Sequence, residues 1–312
     1  MSSLHQTLDD YLTLRQAMGF KIQEARRLLP QFVDFLNAQR QTVITTPWAL
    51  CWATQPRHVQ PAEWARRLRF VRGFAQYQHA IEPRTEIPSA ELLPYAPQRH
   101  TPYLYSDAEI AQLLEAARCL PSATGLRACT YPHLFGLLAV TGMRISELLA
   151  LDRETVDLQE GLLTIRQSKF RKSRCLPLHA TTQQALLDYE RRRDHLHPIP
   201  KSPSFFVSEK GLRLTQWAVR ATFIKLSRQI GLRGPTDSHG PRLHDFRHRF
   251  AVQTLIRWYQ EGVDVDRHLP ELSTYLGHVK VSDTYWYLSA TPQLLALATQ
   301  RLDQAHRRSR DD

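Results

Sequence analysis

The chain of 312 residues carries 41 Lys and Arg against 30 Asp and Glu, a formal charge of +11, with 42% hydrophobic and 23% charged residues. That length is more than one ordinary core fills and points to two domains of the usual ~100–200 residues, and no apolar run approaches the ~20 residues of a bilayer span. The positive excess favours a polyanionic partner, nucleic acid first among them.

The N-terminus, Met1-Ser2-Ser3-Leu4-His5-Gln6, lacks the basic start and apolar core of a signal peptide, which predicts a cytoplasmic chain without membrane contact. From Leu4 to about residue 80 the pattern is helical, with stripes at Leu4, Leu8, Tyr11 and Leu12 and again at Leu28, Leu29, Phe32, Val33, Phe35 and Leu36. A further helix opens at Pro61 and sets Trp64, Leu68, Val71, Phe74 and Tyr77 on one side, with Arg66, Arg67, Arg69 and Arg72 interspersed. Those arginines read either as a solvated face or as a surface that tracks phosphates. Prolines 83, 88, 94, 97 and 102 then interrupt the chain. An all-α N-terminal domain is expected over residues 1–95, a linker over 96–102 and a second domain over 103–312.

The second domain opens on a capping box, Ser106-Asp107-Ala108-Glu109, ahead of Ile110, Leu113 and Leu114. A helix is expected over 131–140, stopping at Gly142, with a short one over 145–151. Two strands, 162–166 and 174–178, flank a basic turn and predict a hairpin, and helices follow over 181–195, 215–230, 243–261, 265–276 and 292–305. The fold expected is therefore mainly α with a small β-hairpin, an α+β second domain behind an all-α first one. Cys51, Cys119, Cys129 and Cys175 form no Cys-x-x-Cys pair, so buried free thiols are expected rather than disulfides or a zinc site.

Four pieces of the second domain carry groups suited to a phosphate. In Thr141-Gly142-Met143-Arg144-Ile145-Ser146-Glu147 an arginine follows a helix-ending glycine, where a guanidinium can grip two phosphate oxygens, or simply pair with Glu147. Residues 166–174 hold five cations, Arg166, Lys169, Arg171, Lys172 and Arg174, and no acid. A lysine there suits proton donation to a leaving alkoxide, while most of the loop reads as a basic turn that meets phosphates without specificity. His244, Arg247 and His248 stand at i, i+3 and i+4 on one helical face. A zinc helix would need Glu directly after the first His; Asp245 stands there, and Arg247 would repel a divalent cation. Last, His278 precedes Tyr287 by nine residues among Tyr275, Tyr285 and Trp286, and spacing does not say which tyrosine would react. Two arginines, a lysine and two histidines around one phosphodiester would neutralise the charge that builds on its oxygens and let a tyrosine attack phosphorus.

In this ordered set the chain resembles the tyrosine recombinase, or phage integrase, family. The resemblance rests on Thr-Gly-Met-Arg-Ile-Ser-Glu-Leu, the basic hairpin, His-x-x-Arg-His, and Leu-Gly-His followed by Tyr nine residues on. It covers the second domain, about two thirds of the chain, and the helical first domain is similar to the family's core-binding domain by pattern. The resemblance implies Arg144 and Arg247 as the catalytic arginines, Lys169 as the hairpin lysine, His244 and His278 as the histidines and Tyr287 as the nucleophile. Arg66, Arg69, Arg171, Arg174 and Lys172 are expected to contact DNA. It implies a two-domain clamp on a specific duplex site, a 3′-phosphotyrosyl link with release of a 5′-hydroxyl, and reversal by a partner strand without ATP, metal or other cofactor.

The same resemblance implies four protomers on synapsed DNA and a monomer or weak oligomer when free. The run Asp-Thr-Tyr-Trp-Tyr-Leu-Ser-Ala-Thr-Pro is most similar to recombinases of transposons and integrative elements. Ser168-Lys169-Phe170 departs from the frequent Gly-Lys-Gly, which leaves Lys172 as the alternative to Lys169. The rival readings are a type IB topoisomerase-like nicking and closing enzyme and a DNA-binding accessory protein that has lost the reaction.

Overall fold

The structure, a computed structural model, describes residues 3–20, 22–93, 102–166, 173–289 and 291–311, and for 289 and 302–311 the backbone alone. The chain divides into two compact units between residues 100 and 101. The 96–102 segment expected as a linker lies outside the described residues except for Pro102.

The first unit is built of α1 (Leu4–Ala17), α2 (Gln23–Ala38), α3 (Thr46–Thr54) and α4 (Pro61–His79). Ser3 caps α1 by accepting from the Gln6 N–H at 3.2 Å, and Pro61 opens α4, where a missing N–H costs nothing. The stripes meet as expected, with Leu8, Phe32, Val33, Leu36, Val71 and Phe74 buried together around Trp52. Trp52 belongs to α3, whose nine residues carry no one-sided apolar stripe, so periodicity passes over it. The α4 arginines are not one basic face. Arg67 is buried, its guanidinium 3.7 Å over the Trp52 ring and donating to the Trp52 carbonyl at 2.9 Å.

The second unit runs through α5 (Asp107–Arg118), α6 (Leu126–Thr141), α7 (Ile145–Leu149), β1 (Val156–Asp157), β2 (Leu162–Ile165), β3 (Arg174–Pro177), α8 (Ala180–Leu196) and α9 (Gln216–Gln229). There follow α10 (Asp245–Gln260), α11 (Val265–Leu276), α12 (Ser282–Tyr285), a 3-10 turn at Trp286–Ser289 and α13 (Pro292–Asp311). The capping box forms, the Glu109 N–H donating to Ser106 Oγ at 3.2 Å and the Ser106 N–H to Glu109 Oε2 at 2.7 Å. The expected hairpin gains a third strand. The antiparallel order is β1-β2-β3, with Leu163 opposite both Val156 and Leu176.

Two apolar clusters make up this unit. The larger joins α5, α6, the sheet, α8 and α9 through Leu134, Phe135, Leu163, Leu176, Phe205 and Phe223. The smaller joins α10, α11, the 3-10 turn and α13 through Val252, Leu255, Leu269, Leu276, Tyr287 and Leu294. Helix α10 serves both, since Phe246 enters the larger cluster and Ala251 to Ile256 the smaller. Its first turn, with His244, Arg247 and His248, therefore lies at the seam. Helix α13 packs onto its own chain, placing Leu294 in the smaller cluster.

The four cysteines are free, but none is buried as expected: three are exposed and Cys129 is half-buried. Cys175, for example, alternates with the buried Leu176 along β3 and so faces outward. Among the described residues, no helix is long and apolar enough to cross a membrane.

Gly142 ends α6 in the left-handed region, φ 60° and ψ 17°, and a Cβ there would come within 2.7 Å of the Phe250 ring. Gly231 has φ 78° but open space around it. Gly231→Ala should therefore cost about 1 kcal/mol of backbone strain, and Gly142→Ala roughly 2–4 kcal/mol because the clash adds to it. Urea denaturation midpoints check this, and equal losses at the two positions would refute the packing argument.

Candidate active site

Gly142 turns the chain so that Met143 is buried and Arg144 becomes the residue that opens α7. The pairing of Arg144 with Glu147, read from the sequence as the plain alternative to a phosphate site, does form. Arg144 Nη1 donates to Glu147 Oε1 at 2.7 Å and the Arg144 N–H to Oε2 at 3.0 Å. Yet the pair is not a surface pair, because the Glu147 side chain is only 4% exposed. Arg144 Nη2 also donates to the Gly277 carbonyl at 3.1 Å, far along the chain.

Arg174 completes this carboxylate. Its Nη1 and Nη2 donate to the two Glu147 oxygens at 3.1 and 2.8 Å, and its Nε to the Tyr275 carbonyl at 2.7 Å. Its side chain is 9% exposed, and the guanidinium expected to contact DNA is spent on a buried carboxylate and a helix end. Strand alternation contained the signal, since Arg174 shares a face with the buried Leu176.

Arg247, on α10, is almost fully buried and donates to the Gly142 carbonyl at 3.1 Å and the Leu276 carbonyl at 2.7 Å. Among the described residues it has no carboxylate partner, and burial together with the positive Arg144 lowers its pKa to about 10. Three consecutive carbonyls at the end of α11, those of Tyr275, Leu276 and Gly277, thus each receive one guanidinium. Gly277 stops that helix in the left-handed region, φ 68°, and delivers His278 to the same place.

His278 is fixed by a 2.7 Å hydrogen bond between its Nδ1 and Thr284 Oγ1, and its ring stacks on Tyr287 with centroids 6.1 Å apart. His248 meets Tyr287 edge-on at 5.6 Å and Trp286 at 5.1 Å, and stands 4.8 Å from His244. Tyr287 is 3% exposed, whereas Tyr285 is 49% exposed and Tyr275 stacks on Phe250, so of the three tyrosines Tyr287 joins the cluster. Arg247 and then Arg144 are the cations that act on its phenol.

The electrostatics follow from burial and crowding of cations. Burial raises the Tyr287 pKa, opposed by Arg247 and Arg144, so the phenol keeps its proton in the free protein. Burial followed by the charge of Arg247 and Arg144 brings His278 down to about 4. His244, although exposed as a residue, also falls to about 4 through desolvation of its ring and the charge of Arg247. His248 falls to about 3 through burial and its neighbours His244, Arg242, Arg247 and His278. Burial would raise Glu147, but the hydrogen bonds and charges of Arg174 and Arg144 outweigh it and hold the carboxyl at about 2. Three guanidiniums converge here with Glu147 paired to two of them, beside neutral imidazoles, an arrangement that favours an anion.

Arg144, His244, Arg247, His278 and Tyr287 are brought together. Lys169, Arg171 and Lys172 lie outside the described residues. In the first unit Arg66 is forked onto Glu63 at 2.8 and 2.7 Å and also reaches Glu24, while Arg69 is exposed. With Arg72 they line a groove of about 730 Å³. The sequence reading missed Glu147 and Arg174 as a frame and Thr284 as the partner of His278. His248, on the same helical face as His244 and Arg247, packs its ring against Tyr287.

A mainly helical unit with a small antiparallel sheet, gathering two arginines, two histidines and a buried tyrosine, defines the class of the tyrosine recombinases. The profile of the phage integrase family matches residues 104–293, more than half of the chain. An integrase/recombinase of Sinorhizobium fredii, y4rB, is 49% identical over 308 residues, covering 97% of this chain and 98% of that one. The tyrosine recombinase XerC of Herpetosiphon aurantiacus is 29% identical over 292 residues, covering 89% and 87%. The Tn1549 transposon integrase, solved in complex with transposon right end DNA, has the same fold with a TM-score of 0.67 at 14% identity, covering 97% of this chain and 99% of its own. This chain belongs to the phage integrase family.

A histidine whose pKa is lower folded than unfolded takes up its proton more readily when unfolded. Its contribution to stability is complete above about pH 6.5 and is lost as the pH falls toward the folded value. The thermal midpoint should therefore fall between about pH 6.5 and 4, and the fall should be shallower in His248→Phe, which removes one such ring. Identical pH dependence of the two proteins by calorimetry would contradict the buried, neutral His248.

Proposed function

We propose the following division of labour for this chain as a site-specific DNA recombinase of the tyrosine type. Arg144 and Arg247 hold the nonbridging oxygens of the scissile phosphodiester and offset the charge that builds there. Tyr287 attacks phosphorus, its oxygen forming a 3′-phosphotyrosyl bond as the bond to the 5′ oxygen breaks. His278, neutral at physiological pH and stacked on Tyr287, takes the phenol proton as the tyrosine attacks, His244 hydrogen-bonds the same phosphate, and Lys169 gives a proton to the departing 5′ oxygen. A 5′-hydroxyl of a partner strand reverses the step, so the energy of the broken bond is kept in the covalent link.

The observation that carries this reading is the enclosure of Tyr287 between two imidazoles and beside Arg247, which shares the α11 end with Arg144. The partner is double-stranded DNA bearing a specific site, and protomers assemble on it, four on two synapsed sites. Arg69 and the hairpin residues Arg171 and Lys172 contact its backbone, Arg66 adding to them from its pair with Glu63. Arg174 is withdrawn from that set. The enzyme works in the cytoplasm on the ends of a mobile element.

Incubation with a nicked suicide substrate carrying the recombination site should trap a covalent protein–DNA band. Tyr287→Phe should abolish the band with DNA affinity retained, and Tyr285→Phe should keep it. Arg247→Lys, which loses the planar fork, should slow trapping by about 10²–10³-fold. A band surviving in Tyr287→Phe would refute the assignment of the nucleophile.

A further inference from the structure

We propose that Arg174 is a positioning residue of the recombination reaction. It aligns Arg144 through Glu147 and the His278 turn through the Tyr275 carbonyl. The inference rests on the roles given above to Arg144 and His278.

Arg174 is the first residue of β3, five positions after Lys169 in the sequence. Every nitrogen of its guanidinium is engaged inside the protein: two on the Glu147 carboxylate and Nε on Tyr275. The same carboxylate accepts from the Arg144 side chain and backbone, so Arg144 and Arg174 are held through one shared acid. A bidentate fork fixes the orientation of a carboxylate, which a point charge would not. The guanidinium also lies close against Gly277, where a Cβ would come within 2.7 Å of Arg174 Nη1. Residue 277 is thus confined to glycine both by its left-handed backbone and by the approach of Arg174. A displacement of Arg174 would therefore reach both the residue that holds Arg144 and the residue before His278. Misplacement of reacting groups by about 1 Å is enough to cost about 10²-fold in rate.

The test uses the full chain and the suicide substrate, with DNA affinity and the single-turnover cleavage rate at saturating DNA measured separately. Arg174→Lys keeps the charge and loses the fork. It should bind DNA within about threefold of wild type and cleave about 30–100-fold more slowly. Glu147→Gln should slow cleavage similarly, and the double substitution should be little slower than either single one, because both act through one contact. Wild-type cleavage by Arg174→Lys would overturn the proposal. So would weaker DNA binding with an unchanged saturated rate, which would make Arg174 a DNA contact, or rate losses that multiply in the double variant. If Arg174→Lys fails to fold, Arg174→Met with Glu147→Gln removes both buried charges together, and a wild-type cleavage rate in that variant overturns the proposal equally. Failure of the underlying reading is distinct, since wild type would then give no covalent band or Tyr287→Phe would retain it.

Discussion

The end of α11 is the constraint on which the site depends. A helix leaves its last carbonyls without partners and carries partial negative charge there. In this protein Tyr275, Leu276 and Gly277 offer three such oxygens in succession, and Arg174, Arg247 and Arg144 take one each. The arginines come from β3, α10 and the turn before α7, so three separate parts of the unit are indexed to one helix end. The glycine that stops the helix also presents His278, which puts the fourth group in register with the other three.

Such convergence crowds positive charge, and Glu147 is the carboxylate that pairs with two of the three guanidiniums. Glu147, buried between Arg144 and Arg174, stays ionised because both cations hold it so. Arg247 has no acid of its own among the described residues and gives its protons to backbone carbonyls, while burial and the positive Arg144 lower its pKa. The same cations and burial keep the three imidazoles neutral. The free protein is therefore left with uncompensated positive charge at a place where a phosphodiester, entering, would relieve it.

The position of Tyr287 follows from how the second unit is assembled. Helix α10 lies between the two apolar clusters and turns its first polar residues to their seam, while α12 and the 3-10 turn fold the chain back against it. Tyr287 belongs to the smaller cluster by its ring and to the site by its hydroxyl. Packing of Leu294 from α13 into that cluster links the end of the chain to the segment that holds the tyrosine.

By itself the sequence determined the helical character of both units and the strands β2 and β3, and it singled out Arg144, His244, Arg247, His278 and Tyr287, which the fold gathers in one cluster. Periodicity, capping and motif order are local properties, and they survive into the fold. Periodicity also held the hint that Arg174 faces inward, but a run of five cations between 166 and 174 reads as a surface until a buried acid is found to receive one of them. What only the tertiary structure decided is which carboxylate and which carbonyls would hold each guanidinium, that Arg67 would be buried against Trp52, and that His248 would lean on Tyr287. Those are contacts between residues distant in sequence, and no spacing along the chain encodes them. They arise when the seam between two clusters brings the end of one helix against the beginnings of two others.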